Sequence, residues 1–347
     1  VSESPSRLSP LDAVHAAAGA SFTDFAGWRM PVRYGSDLAE HETVRTAAGL
    51  FDLSHMAEFL VGGTHAAAFL DRALAGRASA IPIGRAKYSL LLADDGGILD
   101  DLVVYRLADE LYWVVANAAN HDVVAAELAA RKADFDVTVD DETDRCALVA
   151  VQGPRSAELV AALRLPVDVP YYGIRQATYA DAPVLVARTG YTGEDGFELY
   201  LDASAAPGLW EELVAAGAVP CGLAARDTLR LEAGMPLYGH ELTRATKPRD
   251  AGLGRVADIG DDAARVLVGL VAEGRRAARA GYPVLCDGVV VGEVTSGALS
   301  PTLGHPIAMA YVDRDAAAVG TVLDLDIRGT ALPATVVPLP FYSRKKA

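Results

Sequence analysis

Apolar positions at helical spacing predict helices over Leu11 to Ala18 and Glu40 to Ala48. They flank an aromatic stretch punctuated by Gly and Pro, Phe22 to Gly35, which reads as ordered loop or short strands. From Phe51 the spacing changes. It predicts a strand at Glu58 to Val61, a helix opened by Thr64 over Ala66 to Leu74, strands at Tyr88 to Leu92, Ile98 to Leu107 and Leu111 to Asn117, and a helix over Asn120 to Lys132. The mixed pattern resumes with strands at Ala147 to Gln152, Val184 to Arg188 and Phe197 to Leu201. Helices follow Pro154 and cover Ala206 to Ala216 and Leu223 to Ala233. Beyond about residue 265 only strands are predicted: Val266 to Val271, Val289 to Thr295, Ala308 to Val312, Thr321 to Ile327 and Ala331 to Val337, the last two joined by the hairpin signal Arg328-Gly329-Thr330. The pattern is α+β without a βαβ rhythm. It divides into a discontinuous first domain (1–50 plus 141–250), an inserted subdomain (51–140) and a C-terminal all-β domain (265–347). The polar stretch Thr243 to Arg249 is a candidate linker or site rim.

Composition narrows the function classes. With 31 Lys plus Arg against 46 Asp plus Glu, the net charge is −15, which argues against a diffuse grip on nucleic acid or anionic lipid. No apolar run approaches the roughly 20 residues of a bilayer span. Val1 to Pro10 has no apolar core of a secretory signal, so the cytoplasm is the expected compartment. Cys146, Cys221 and Cys286 are too few and too scattered for a disulfide framework or a tetrathiolate site, and the seven histidines form no His-Glu-x-x-His pair, so no metal is expected. There is no phosphate-binding loop, and Gly190, Gly193 and Gly196, three apart, do not match a dinucleotide fingerprint.

Three segments could carry chemistry. In Asp94-Asp95-Gly96-Gly97 followed by a strand, pleating puts Asp100 with Ile98, Leu102 and Val104, and Asp101 with Leu99, Val103 and Tyr105. The two aspartates cannot enter one pocket, and one is a candidate base or cation stabiliser; a solvated or turn-capping role is the alternative. In Arg188 to Tyr200 the glycines allow tight backbone before a strand in which Glu198 either accepts two hydrogen bonds from an amidine-like edge, such as a pterin or guanine, or faces water. In Gly222 to Met235, Arg226 and Arg230 share a helical face. They either pair with Asp227 and Glu232, or Arg226 serves a site.

These motifs together resemble the aminomethyltransferase (T-protein) family of the glycine cleavage system over nearly the whole chain. The resemblance rests on Asp24-Phe25-Ala26-Gly27-Trp28 with Met30-Pro31, Phe51 to Met56, Gly96 to Leu102, Thr189 to Glu198, Gly222 to Gly234, and Thr295-Ser296-Gly297 with Ser300 to Gly304. It implies a three-domain cloverleaf binding tetrahydrofolate as co-substrate. It also implies transfer of an aminomethyl group from the lipoyl arm of H-protein, with release of ammonia and formation of 5,10-methylenetetrahydrofolate. By similarity Asp100 is the catalytic carboxylate, Glu198 binds the pterin edge, Tyr191 and Asn117 line the folate channel, Arg226 belongs to the site, and Met56 and Val115 are apolar walls.

The chain departs from the family at Arg255, where a tryptophan is usual, and at Ile259-Gly260-Asp261-Asp262, which runs almost directly to Val266 where the family continues with a Phe-x-Gly-Arg segment. The competing readings are another folate-dependent demethylase, a detached folate domain of a flavin-linked oxidase, and a non-catalytic folate-binding factor for iron-sulfur assembly. An anionic carrier would need a local basic patch, with Arg29, Arg33, Arg244, Lys247 and Arg249 as candidates.

Overall fold

A computed structural model of the chain describes residues 6–257, 260 and 263–344. Ile259, Asp261 and Asp262 of the expected departure, and the first residues of the expected signal-free segment, lie outside the described residues. The chain divides into two compact units, the first comprising residues up to Leu91, Leu102–Gly190 and Glu194–Arg226, the second Leu92–Asp101, Tyr191–Gly193 and the chain from Asp227 onward.

In the first unit a six-stranded sheet runs Ile174–Tyr179, Ala182–Ala187, Gly196–Asp202, Cys146–Gln152, Gly49–Asp52 and Val219–Pro220. Its alternation decides what is core. Val149, Val151, Phe197, Leu199 and Leu201 point to one face, packed on Leu159 and Val160 of helix Ser156–Ala162 and on Leu209, Trp210 and Leu213 of helix Ala206–Ala215. Glu198 and Tyr200 therefore point to the other. A second sheet has the order Arg85–Leu92, Ile98–Ala108, Leu111–Ala116, Ala57–Gly62 and Thr138–Asp141, with helices Ala66–Ala73 and His121–Arg131. Phe22 to Gly35 forms strands Ser21–Phe25 and Trp28–Arg33. The chain leaves the first sheet at Asp52 and returns to it at Cys146, and we propose the three-part division for it.

The second unit contains a closed six-stranded barrel, Arg265–Ala272, Pro306–Asp313, Val289–Leu299, Pro283–Cys286, Val322–Asp326 and Ala331–Val337, around a core that includes Leu270, Val284, Val294 and Val336. This is the expected C-terminal all-β domain. Its last hairpin turns on Arg328 and Gly329, both at positive φ (56° and 83°), the backbone that a two-residue primed turn demands. Buried Arg230 donates to Glu241 (2.8 Å), Ser296 Oγ (2.8 Å) and Asp227 (2.8 Å). The expected pairing of Asp227 with an arginine is present. Glu232 accepts from Ser300 Oγ (2.5 Å) and from Thr302 through its backbone N–H (3.0 Å) and hydroxyl (2.7 Å). Among the described residues no helix is long and apolar enough to cross a membrane.

The N-terminal segment is tied to the first sheet by Asp52. Its buried carboxylate accepts from Ser9 Oγ, from the backbone N–H of Ser54 (2.9 Å) and from His15 Nε2 (2.8 Å), while His15 Nδ1 meets the Tyr34 hydroxyl (2.8 Å). Burial alone would raise the Asp52 pKa, but these partners, His15 foremost, hold it below the ordinary value. The carboxylate thus stabilises the fold above the usual aspartate range, and that contribution is lost as pH falls through its depressed folded-state pKa. Asp52→Ala should cost about 3–5 kcal/mol at neutral pH, as for other broken buried pairs, in a urea melt, and the deficit should shrink as the pH approaches that depressed value.

Candidate active site

Glu198 stands on the non-core face of the first sheet, directly opposite Ala150 in one neighbouring strand and Ala187 in the other. Both neighbours are small, so the carboxylate is only half-buried. Its Oε2 accepts from Thr189 Oγ1 (2.5 Å) and, at longer range, from the Tyr105 hydroxyl (3.4 Å), which also lies 2.9 Å from Thr189 Oγ1 and 3.2 Å from the Tyr200 hydroxyl. Among the described residues, Oε1 has no hydrogen-bond partner. The tyrosines pack edge to face with centroids 6.0 Å apart, and Trp113 meets Tyr200 in the same way. Burial, with the charge of Glu198, pushes the Tyr105 phenol well above its usual pKa.

The glycines before this strand have a local cause. A Cβ at Gly190 would fall 2.0 Å from Gln152 Oε1, and one at Gly196 2.3 Å from Gln152 Nε2. Gln152 fills that space and donates to the Thr189 carbonyl (3.1 Å). Gly193 sits at φ +79°, a backbone that other residues rarely adopt. The sequence motif is thus a clamp on Thr189.

Asp100 and Asp101 belong to the second unit and fall on opposite pleats of the Ile98–Ala108 strand. Asp100 is fully buried, in step with Ile98, Leu102 and Val104, whereas Asp101 is half-buried, in step with Leu99 and Val103. The pleat of Asp101 continues to Val103, opposite Val115, and to Tyr105, opposite Trp113. The hairpin is fixed by Arg244, which bonds the Asp95 carboxylate (2.8 and 3.1 Å), and by Lys247 Nζ on the Asp95 carbonyl (2.8 Å). These contacts hold the exposed Asp95 carboxyl down at about 2. Tyr238, which the sequence did not suggest, donates to the Ile98 carbonyl (3.1 Å), and its phenol pKa is raised by burial and by the charges of Asp100 and Asp101.

The remaining expected residues are distributed between the units. Met56, Val115, Asn117 and Arg226 lie with Glu198 in the first, Val115 buried and the other three half-buried. His55, beside Met56, is buried with an Nδ1 that has no partner among the described residues, and burial takes its pKa down to about 4, with Arg226 contributing. Tyr191 is in the second unit, and its hydroxyl donates to the Pro236 carbonyl (2.5 Å). Arg255 is exposed. Of the candidate docking cations, Arg29 pairs with Asp12 and stacks on Phe22 while Arg244 and Lys247 bind Asp95, so much of that patch already has internal partners; Arg33 is exposed. Among the described residues no group of three or more His, Cys, Asp or Glu is arranged to hold a metal ion.

Residues 11–261 match the family described as GCVT N-terminal domain, and residues 265–343 the glycine cleavage T-protein C-terminal barrel domain. The chain is 57% identical to an aminomethyltransferase of Cutibacterium acnes, with 97% of this chain and 99% of that protein aligned, and 54% identical to one of Streptomyces avermitilis over the full length of both. The first alignment spans 366 positions, more than the 347 residues of this chain, so the relative carries residues that this chain lacks. The solved glycine cleavage system aminomethyltransferase T from Bartonella henselae superposes with a TM-score of 0.91 at 37% identity, covering 97% of this chain and 98% of that one.

One buried group in the first unit has a pH signature that needs no ligand. Glu58 is fully buried, with neither carboxylate oxygen hydrogen-bonded among the described residues, and burial followed by the charges of Asp141 and Asp52 raises its pKa well above the ordinary value. A raised folded-state value means that its contribution to stability is present below the usual glutamate pKa and is lost as pH climbs toward the folded one. Glu58→Gln, neutral throughout, should therefore stabilise the protein relative to wild type at pH 8 and give little gain at pH 4, as read from thermal melts at the two pH values.

Proposed function

The chain belongs to the glycine cleavage T-protein family and is an aminomethyltransferase, and on that premise we propose that it moves the aminomethyl carbon from the lipoyl arm of H-protein to tetrahydrofolate. Ammonia, 5,10-methylenetetrahydrofolate and the carrier's reduced lipoyl arm, its sulfur freed as the thiol, are the products, and the cytoplasm is the proposed compartment. The observation that carries the folate part is Glu198. It offers one carboxylate oxygen with no partner among the described residues, between two alanines, while the other oxygen is held by buried hydroxyls. That suits a flat ring with donors along one edge and apolar faces, for which Met56 and Val115 are walls and Asn117, Tyr191 and Arg226 further polar contacts. The aminomethyltransferases found at high identity over the full length favour turnover over a folate-binding assembly factor.

The chemistry needs an ionised carboxylate beside the reacting methylene. It would accept the proton released by the attacking nitrogen and stabilise the positive charge that develops as ammonia departs. The resemblance assigns this to Asp100. A second reading assigns it to Asp101, and accessibility favours it, because Asp101 is the half-buried member whose pleat continues to Val103 and Tyr105, whereas Asp100 is buried with the core positions.

Two measurements test these roles. Glu198→Ala should weaken tetrahydrofolate binding in calorimetry by about 1–3 kcal/mol, the cost of stranding the ligand's donors; unchanged affinity removes Glu198 from the site. In single-turnover formation of methylenetetrahydrofolate from aminomethylated carrier, Asp101→Asn should fall about a hundredfold or more with little change in folate affinity. Asp100→Asn should act mainly on stability. The reverse pattern returns the role to Asp100, and carrier-dependent ammonia release that is absent from wild type overturns the reaction itself.

A further inference from the structure

We infer that the hydroxyls of Tyr105 and Thr189 are positioning residues for Glu198, locking its Oε2 so that Oε1 is the oxygen presented to a donor on the ligand's edge. The inference rests on the reading of Glu198 as the residue that binds the pterin edge. A carboxylate only accepts hydrogen bonds, so Thr189, 2.5 Å from Oε2, must donate to it. Thr189 Oγ1 is then left with lone pairs for the Tyr105 hydroxyl at 2.9 Å, whose one proton points mainly there and only at longer range (3.4 Å) toward Oε2, and Tyr105 in turn accepts from Tyr200 at 3.2 Å. The direction of every proton in the relay follows from the acceptor at its end. Each donor polarises the next, in a setting where Tyr105, Tyr200 and Thr189 are all buried.

The backbone side of the relay is also fixed. Gln152 holds the Thr189 carbonyl at 3.1 Å, in space that only glycine at positions 190 and 196 leaves open. Thr189 can therefore not follow Glu198 if the carboxylate rotates. Without the relay, a half-exposed glutamate would sample several rotamers and would have to be ordered at the moment of binding, at an entropic cost. With it, a ligand carrying an N–H donor at the right edge meets an acceptor already in position. The consequence is selectivity for that donor, not general affinity.

The test uses the full chain and calorimetric titration with tetrahydrofolate and with its 2-desamino analogue, which lacks one edge donor. Wild type should prefer tetrahydrofolate. Tyr105→Phe and Thr189→Val should each weaken tetrahydrofolate binding by about tenfold while changing the analogue little, so that the preference collapses. In turnover the loss should appear in KM for folate, with kcat nearly kept. Combined with Glu198→Gln, Tyr105→Phe should add almost nothing, because both act through one carboxylate. A thermal melt of each variant shows whether it is folded, and the isosteric Thr189→Val replaces Tyr105→Phe if the latter is not. Equal weakening toward both ligands would mean a merely structural role and overturn the inference. If Glu198→Gln weakens folate binding and neither hydroxyl variant does, the inference alone fails. If Glu198→Gln leaves binding unchanged, the folate reading of Glu198 falls and the inference with it.

Discussion

A strand offers only every second residue to a given face, and the six-stranded and five-stranded sheets are organised by that constraint. In Gly196–Asp202 it sends Phe197, Leu199 and Leu201 into the helix-covered core and leaves Glu198 and Tyr200 on the opposite side. In Ile98–Ala108 it separates two adjacent aspartates. A shift of one residue in Gly196–Asp202 would exchange core for site, placing Glu198 among leucines at a cost of several kcal/mol, and in Ile98–Ala108 it would exchange which of the two aspartates is buried. The register that secures the core therefore also secures the chemistry, and the buried hydrophobic positions need no further device to aim the polar ones.

Much of this was legible because period and punctuation are local signals. The helices at Asp12–Ala17, Ala66–Ala73 and Ala206–Ala215, the long strands and five of the six strands of the C-terminal all-β domain follow from apolar spacing, and Arg328-Gly329 announces its turn. The strands that spacing missed have non-local causes. Ile174–Tyr179 and Thr138–Asp141 are largely exposed edge strands, Gly49–Asp52 is a short run buried on both faces that merges with the preceding helix pattern, and Pro283–Cys286 is four residues long. In the site, pleating showed that Asp100 and Asp101 must diverge, but not which of them the fold leaves accessible, since that depends on what packs over the strand. Glu198 was visible as a candidate. Its partners Tyr105 and Thr189 were not, because they come from 93 and 9 positions away in sequence and meet only through tertiary packing. The glycine triplet was read as permissive backbone, whereas two of the three make room for a side chain, Gln152.

Three carboxylates of the first unit show how the same chemical group is given different work by its partners. Asp52 is saturated: a serine, a histidine and a backbone N–H satisfy it, its pKa is depressed, and it stabilises the fold. Glu58 is starved: with no hydrogen bond to either oxygen, burial favours its neutral form, which makes it a cost to the fold at higher pH. Glu198 lies between these limits, with one oxygen engaged by hydroxyls and the other without a partner among the described residues. Only the intermediate state is suited to binding. A saturated carboxylate has nothing to offer a ligand, and a starved buried one holds a proton where an acceptor is needed. A carboxylate whose orientation is already fixed on one side gains from a ligand donor on the other without first losing its own freedom. The partial satisfaction of Glu198, rather than its presence in a strand, is therefore what distinguishes a recognition group from the structural acids around it.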